Sequence, residues 1–246
     1  MIALFDSGTS RLHFGLWDRG RLVGMEHSFY PESTGMLEDI IREFVKCHDL
    51  NGAIAASVSN RWREPLFQAI RSAVPGPLRE IRTAADIGIR VPYAKPETYG
   101  IDRALAALAA WHRFGASCVV ADAGTALTID AVAPDGSIAG GFILPGFHVQ
   151  AAALASATGL PEVAPGGESS GPGRSTEECI AKGILKGFRA AARELVRQAD
   201  EAAGAGGRLI LTGGEAGLLA GFEQAAISPG LVLEGLGLAW EKNREP

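Results

Sequence analysis

No stretch of this chain approaches the roughly 20 uninterrupted apolar residues that a membrane-spanning helix needs. No basic segment leads into an apolar run near its start, so no secretory leader is expected. Cys-x-x-Cys spacing is missing as well. Cys47, Cys118 and Cys179 stand far apart, and an odd, unframed set fits a reducing compartment. The five histidines show neither His-x-His nor His-x-x-x-His spacing, which leaves no structural zinc site to read. There is no basic block either. Lys and Arg number 23 against 28 Asp and Glu, a net charge of −5, so neither nucleic acid nor an anionic membrane is an expected partner. A Gly-x4-Gly-Lys-Ser/Thr loop is also absent, which speaks against a Walker-type nucleotide site. These absences predict a cytoplasmic location. The 246 residues, 47% hydrophobic and 21% charged, suffice for one large or two small globular domains.

What the chain does have is a repeat. Asp6-Ser-Gly8-Thr9 matches Asp122-Ala-Gly124-Thr125, and each is preceded by an apolar run. Each is followed by a second extended run, Arg11 to Trp17 and Leu127 to Val132. A glycine lies 14 positions after each Asp, at Gly20 and Gly136, and another at 18, at Gly24 and Gly140. Self-similarity at this length implies a duplicated unit: strand, glycine-bearing turn, strand, hairpin turn, strand. Gly8 and Gly124 let a ligand approach the backbone closely, and successive N–H groups in such a turn form an anion-holding concavity. Thr9 and Thr125 add hydroxyls. Asp6 and Asp122 would repel a bare phosphate, so a cation is expected between them and a nucleotide polyphosphate. The plainer alternative is an Asx turn in each copy, the Asp bonding its own backbone.

Apolar spacing predicts a helix within 35–50, a short buried strand at 53–58 and a helix near 64–73. Further helices are expected at 178–203 and 231–242, with a strand at 208–214. Alternating strands and helices in both halves describe an α/β protein of two related lobes, 1–114 and 115–246. The Gly-, Pro- and Ser-rich stretch 159–176 reads as a long functional or surface loop, closed by a capping box at Ser175-Thr-Glu-Glu178. Within 95–114, Gly100 breaks the chain and Asp102 stands where the N-cap of an apolar helix is expected. A carboxylate at the positive end of a helix stays ionised and can take the proton of an attacking hydroxyl. Arg103 beside it suits an anionic substrate. A plain N-cap with a solvated arginine is the simpler reading of the same spacing.

Taken in order, several pieces form one pattern: Asp6-Ser-Gly-Thr-Ser10, Tyr99-Gly-Ile-Asp-Arg103, Asp122-Ala-Gly-Thr-Ala-Leu-Thr-Ile-Asp130, Gly140-Gly-Phe-Ile-Leu-Pro-Gly146, Arg174-Ser-Thr176, Thr212-Gly-Gly214 and Leu231-Val-Leu-Glu-Gly235. This ordered set resembles the type III pantothenate kinases, a Bvg-accessory-factor-like group within the acetate kinase, sugar kinase, Hsp70 and actin superfamily. The resemblance runs nearly end to end. It implies two duplicated actin/ribonuclease H-like lobes with an ATP cleft between them. It implies phosphorylation of the pantothenate 4′-hydroxyl by ATP with Mg2+, the step that opens coenzyme A synthesis.

By the same resemblance, Asp6, Ser7, Gly8, Thr9, Ser10, Arg11, Leu12 and His13 form the nucleotide phosphate site, with Gly124 and Thr125 as further ATP contacts. Gly100, Ile101, Asp102 and Arg103 contact pantothenate, Asp102 as proton acceptor, and Tyr93 joins them. Asp122 matches a monovalent-cation position, for K+ or NH4+. Thr176 matches a pantothenate contact offered across a homodimer interface. Thr9 stands where the family usually carries Asn, keeping a hydroxyl but losing the amide. His13 is read as an outward strand residue and His148 as a surface histidine. The residues by themselves also accommodate a kinase for another small hydroxylated acceptor, or a ligand-binding paralogue of low turnover.

Overall fold

Ile2–Ser7 (β1) is buried at every position, as a central strand must be when both faces of its sheet are covered. The computed structural model describes residues 1–166, 171–219, 221–222 and 224–242, so four residues of the 159–176 stretch lie outside the described residues. Its chain divides into two units, one of Met1–Gly115, Gly136–Ile138 and the segment from Gly230, the other of Ala116–Asp135 and Ala139–Pro229.

In the first unit, Arg11–Asp18 (β2) and Arg21–Phe29 (β3) continue from β1 as an antiparallel meander. The β2–β3 turn places Arg19 and Gly20 at φ 49° and 79°, the two positive values that a type I′ turn requires. Ala53–Ser57 (β4) and Leu78–Ile81 (β5) add in parallel, giving the order β3-β2-β1-β4-β5. Alternation along the strands divides the two faces. One face sends Ala3, Phe5, Leu12, Phe14 and Leu16 into a core with Leu37 and Ile41 of Thr34–Val45 (α1) and Leu66, Phe67 and Ile70 of Arg63–Ala73 (α2). On the other face Gly15 and Trp17 meet Leu231–Lys242 (α6). A Cβ on Gly15 would come within 3.1 Å of Leu233, and one on Gly237 would run into the Trp17 ring. Ile101–Phe114 (α3) packs on α6, and Gly235 lies against the Leu105 backbone with no room for a side chain. Arg113 bridges to Glu234, at 2.7 Å, across the same pair of helices.

The second unit repeats the plan. Cys118–Ala123 (β6), Ala126–Val132 (β7), Ile138–Pro145 (β8), Leu209–Thr212 (β9) and Ala226–Ile227 (β10) form a sheet ordered β10-β9-β6-β7-β8. Strand for strand this is the order of the first sheet, with β9 parallel to β6 as β4 is to β1. Val119, Ala121, Leu127 and Ile129 pack against Phe188, Ala192 and Ala199 of the long helix Thr176–Ala203 (α5). Phe147, at the start of Phe147–Thr158 (α4), packs on Leu185 of α5. Ser175 caps α5 by accepting the Glu178 N–H at 3.2 Å. The Glu178 carboxylate takes the Arg174 N–H rather than that of Ser175, one residue off the expected capping box.

Gly20 and Gly136 share a left-handed φ, 79° and 78°, so the 14-residue spacing is conformational as well as sequential. The glycine-bearing turns are not identical. Asp6 faces His13 across the first hairpin, whereas Asp122 faces Thr128, so the second turn is one residue shorter. Among the described residues, no helix is long and apolar enough to cross a membrane.

Candidate active site

At the C-terminal end of β1 the chain turns through Gly8, Thr9 and Ser10. The Gly8 N–H closes the turn on the Arg11 carbonyl at 3.0 Å. Asp6 is only 5% exposed, and a carboxylate buried to that degree needs a partner. The partner is His13, its register neighbour on β2, whose Nδ1 lies 3.1 Å from Asp6 Oδ2. The ring of His27 on β3 stands 6.2 Å beyond, completing a row across three strands. Thr9 and Ser10 are exposed at the tip. Ser7 and Leu12 point to the opposite face, Ser7 fully buried and Leu12 within the core, so neither offers its side chain at the tip. Arg11 lies with its guanidinium 4.7 Å above the Phe29 ring, a cation–π contact.

Asp102 occupies the second position of α3, not the N-cap that its spacing suggested. The helix begins one residue earlier, and Gly100 is its N-cap. From there the Asp102 carboxylate reaches back to the first turn, Oδ1 accepting the Arg103 N–H at 2.8 Å. The helix dipole favours a negative charge at this end. Gly100 makes the room for it: a Cβ there would sit 2.6 Å from Asp102 Oδ1. Arg103 is 7% exposed, its guanidinium 4.4 Å over the ring of Tyr99. Tyr99 meets Tyr93 edge to face at 5.4 Å. Tyr93, Tyr99 and Arg103 are thus joined through Tyr99, to which the sequence reading gave no role. Its only signal was an aromatic immediately before Gly-Ile-Asp-Arg.

In the second unit three segments converge on the Asp122–Thr125 turn. The Gly124 N–H bonds to Ala126 O at 2.9 Å, and the Thr125 carbonyl accepts the Gly146 N–H at 3.0 Å. After β9 the chain crosses Gly213, at φ 89°, where a Cβ would collide with Asp122 Oδ1 and the Ala123 carbonyl. Glu215 then donates its N–H to Ala123 O at 2.7 Å, and its Oε2 accepts the Phe147 N–H at 2.9 Å. Glu215 ties the Asp122 strand to the start of α4. It was not singled out from the sequence, although Thr212-Gly-Gly214 just before it was. His148 is mostly exposed, its Nε2 3.7 Å from Glu215 Oε1. Thr176 opens α5 and is exposed.

The donors around Asp122 are carboxylate and carbonyl oxygens, the hard ligands that Mg2+ and alkali cations take. The bare backbone of Gly213 lies directly against the Asp122 carboxylate, where an added Cβ would run into Asp122 Oδ1. The residues therefore fit a cation held in part by a ligand's own phosphates. Among the described residues no group of three or more His, Cys, Asp or Glu side chains is placed to hold a metal ion.

Residues 2–198 match the family model described as type III pantothenate kinase. A protein named type III pantothenate kinase from Alkalilimnicola ehrlichii is 36% identical over 247 residues, covering 95% of each chain. The structure of a Campylobacter jejuni protein described as a Baf family transcriptional activator aligns with TM-score 0.62 at 20% identity, over 98% of both chains. MreB 5 of Spiroplasma citri, solved with AMPPNP, aligns with TM-score 0.53 at 11% identity, over 98% of this chain and 97% of its own, a likeness of fold alone.

Proposed function

The chain belongs to the type III pantothenate kinase family, and from that premise we propose that it transfers the γ-phosphoryl group of ATP to the 4′-hydroxyl of pantothenate, giving 4′-phosphopantothenate for coenzyme A synthesis. The observation that carries the reading is the 36% identity over 95% of the chain. The phosphate chain of ATP binds at the turn Asp6 to His13 and at Gly124 and Thr125. Pantothenate binds along Tyr93 and Gly100 to Arg103. Its carboxylate suits the Arg103 guanidinium, which stacking on Tyr99 holds in place. Asp102 accepts the proton of the attacking hydroxyl. In phosphoryl transfer the protein mainly positions groups and balances charge, so a fixed carboxylate at a helix start suffices as acceptor.

A divalent cation, Mg2+ with ATP, supplies charge neutralisation on the transferred phosphates. Asp122 is assigned to a monovalent cation, K+ or NH4+, supported by the Ala123 carbonyl oxygen that shares with its carboxylate the space against Gly213. The enzyme acts in the cytoplasm as a homodimer, with Thr176 of one protomer offered to pantothenate on its partner, and has neither nucleic acid nor membrane as partner. The test is direct. The chain with MgATP and pantothenate should form 4′-phosphopantothenate, and faster with K+ or NH4+ than with Na+. Transfer to another alcohol but not to pantothenate would replace the substrate assignment. Equal rates with all three cations would remove the Asp122 assignment.

A further inference from the structure

Behind the first glycine turn lies a chain of hydroxyls that nothing in the reaction so far uses. Tyr30, just past β3, donates its phenol proton to the Gly8 carbonyl at 2.7 Å. Its oxygen lies 2.6 Å from Ser7 Oγ. The phenol has one proton, already given to Gly8, so Ser7 is the donor between them. Ser57, the register partner of Ser7 on β4, donates to Ser7 Oγ at 2.9 Å. Ser57 Oγ in turn accepts the Ser59 N–H at 3.2 Å. The Ser57 hydroxyl also lies 3.2 Å from the Ser59 carbonyl, and its single proton goes to the shorter contact with Ser7. From Ser57 the donors then run one way, through Ser7 and Tyr30 to one backbone oxygen of the turn. Chains polarised in one direction strengthen each member. The Tyr30 ring is fixed as well, stacked on Trp62 at 5.1 Å with the planes 4° apart, and the Trp62 N–H is held by Ser59 Oγ at 3.3 Å. Burial pushes the Tyr30 phenol up from its ordinary range, the Ser7 hydrogen bond opposes this, and the Asp6 charge adds to it. Tyr30 therefore keeps its proton at neutral pH.

The consequence lies in the peptide plane. The Gly8–Thr9 bond is trans, like every peptide bond described. In a trans peptide the carbonyl and the next N–H point in opposite directions and turn together. A hydroxyl that holds the Gly8 carbonyl inward thereby holds the Thr9 N–H outward. That N–H has no hydrogen-bond partner among the described residues, and Thr9 is exposed. The Gly8 N–H is already spent on Arg11. We propose that Tyr30, driven through Ser7 and Ser57, is a positioning residue for the nucleotide: it aims the Thr9 amide at a phosphate oxygen of ATP. The proposal rests on the reading of this turn as the phosphate site. Tyr30 touches no reacting atom and acts only through the backbone it orients.

The test compares steady-state kinetics of Tyr30→Phe and Ser57→Ala with the unaltered chain. Phe keeps the stacking on Trp62 and loses only the hydroxyl. KM for MgATP should rise about three- to ten-fold in each, the equivalent of one lost hydrogen bond, while KM for pantothenate and kcat at saturating ATP are kept. The double variant should fall short of the product of the two effects, because both break one chain. A merely structural role would lower Tm and leave KM for ATP where it was, or would move both KM values together. Either result in both variants overturns the proposal. Gly8→Ala separates the two levels of the argument, since an added Cβ comes within 3.3 Å of Arg11 O in the turn itself. If Gly8→Ala raises KM for ATP and Tyr30→Phe and Ser57→Ala do not, the turn binds nucleotide and only the role of Tyr30 falls. If Gly8→Ala also keeps the wild-type KM, the phosphate site lies elsewhere and the proposal falls with it.

Discussion

Replacing Gly235 with alanine tests whether the contact between α6 and α3 places Asp102, the proposed proton acceptor. The new methyl would lie 2.6 Å from the carbonyl carbon of Leu105 and 2.9 Å from its Cα, and closer still to its carbonyl oxygen. All three are backbone atoms, so no change of rotamer relieves the overlap. Carbon atoms make their best contact near about 3.5–4.0 Å, so the helices must part by roughly 1 Å. Overpacking of this kind costs about 1–3 kcal/mol. For a chain of this size that lowers Tm by roughly 2–12 °C. Asp102 sits one turn before Leu105 in the same helix and moves with it. A displacement of about 1 Å in a catalytic group can cost on the order of 100-fold in rate. Thermal unfolding followed by circular dichroism, together with kcat for phosphopantothenate formation, measures both effects. Gly35→Ala, where an added Cβ meets nothing within 4 Å, is the control and should leave both unchanged or raise Tm slightly. If Gly235→Ala behaved like Gly35→Ala in both measurements, the claim that this glycine sets the position of α3 would be refuted.

Asp102→Asn should lower kcat by about 10²–10⁴-fold, the usual contribution of a positioned base, with Tm retained; a kcat near wild type in the folded variant would remove the assignment. Gly100→Ala presses a methyl to 2.6 Å from Asp102 Oδ1. It should lower kcat about ten-fold with KM for ATP unchanged, the misplacement being smaller than a full ångström; stopped-flow or steady-state turnover reads it. Burial pushes the Cys118 thiol from 9.0 up to about 12, the Arg208 charge pulling slightly the other way. Between those values the folded chain keeps a proton that the unfolded chain has lost. Its contribution is therefore fully present below pH 9.0 and disappears as pH rises toward about 12. Urea unfolding at pH 8 to 11 should show the decline in the wild type and a shallower one in Cys118→Ala. Parallel curves would contradict the buried-thiol argument.

The duplicated unit was legible because it repeats chemistry at fixed spacing. Asp, Gly and Thr recur in order, and Gly20 and Gly136 share a backbone conformation that strongly favours glycine. Amphipathic helices were legible for the same reason of period: α1, α2, α5 and α6 fall close to where apolar spacing put them. α4 was missed because its sequence, Phe-His-Val-Gln-Ala-Ala-Ala-Leu-Ala-Ser-Ala-Thr, is small and apolar on all sides and marks no face. β5 was missed because four residues, Leu78–Ile81, carry too little alternation to read. At the site, the residue types at Asp6, Gly8, Asp102 and Asp122 could be named from the chain. The partner of Asp6 could not, because His13 meets it only through antiparallel register. Glu215 and Tyr99 escaped notice for a similar reason. One acts by reaching Phe147, 68 positions away, and the other by lying between two residues already named.

By itself the order of residues determined the family, the α/β class, the doubled hairpin and the acid in the first turn of α3, since each depends on local pattern or on spacing along the chain. Tertiary structure alone decided that the closing helix α6 returns to the first unit, that Gly235 is a place where a methyl would press on the helix carrying Asp102, and that Tyr30 holds the Gly8 carbonyl. These are matters of distance between atoms remote in the chain. No single-residue preference encodes them, because they exist only once close packing has brought a bare backbone or a hydroxyl against its counterpart.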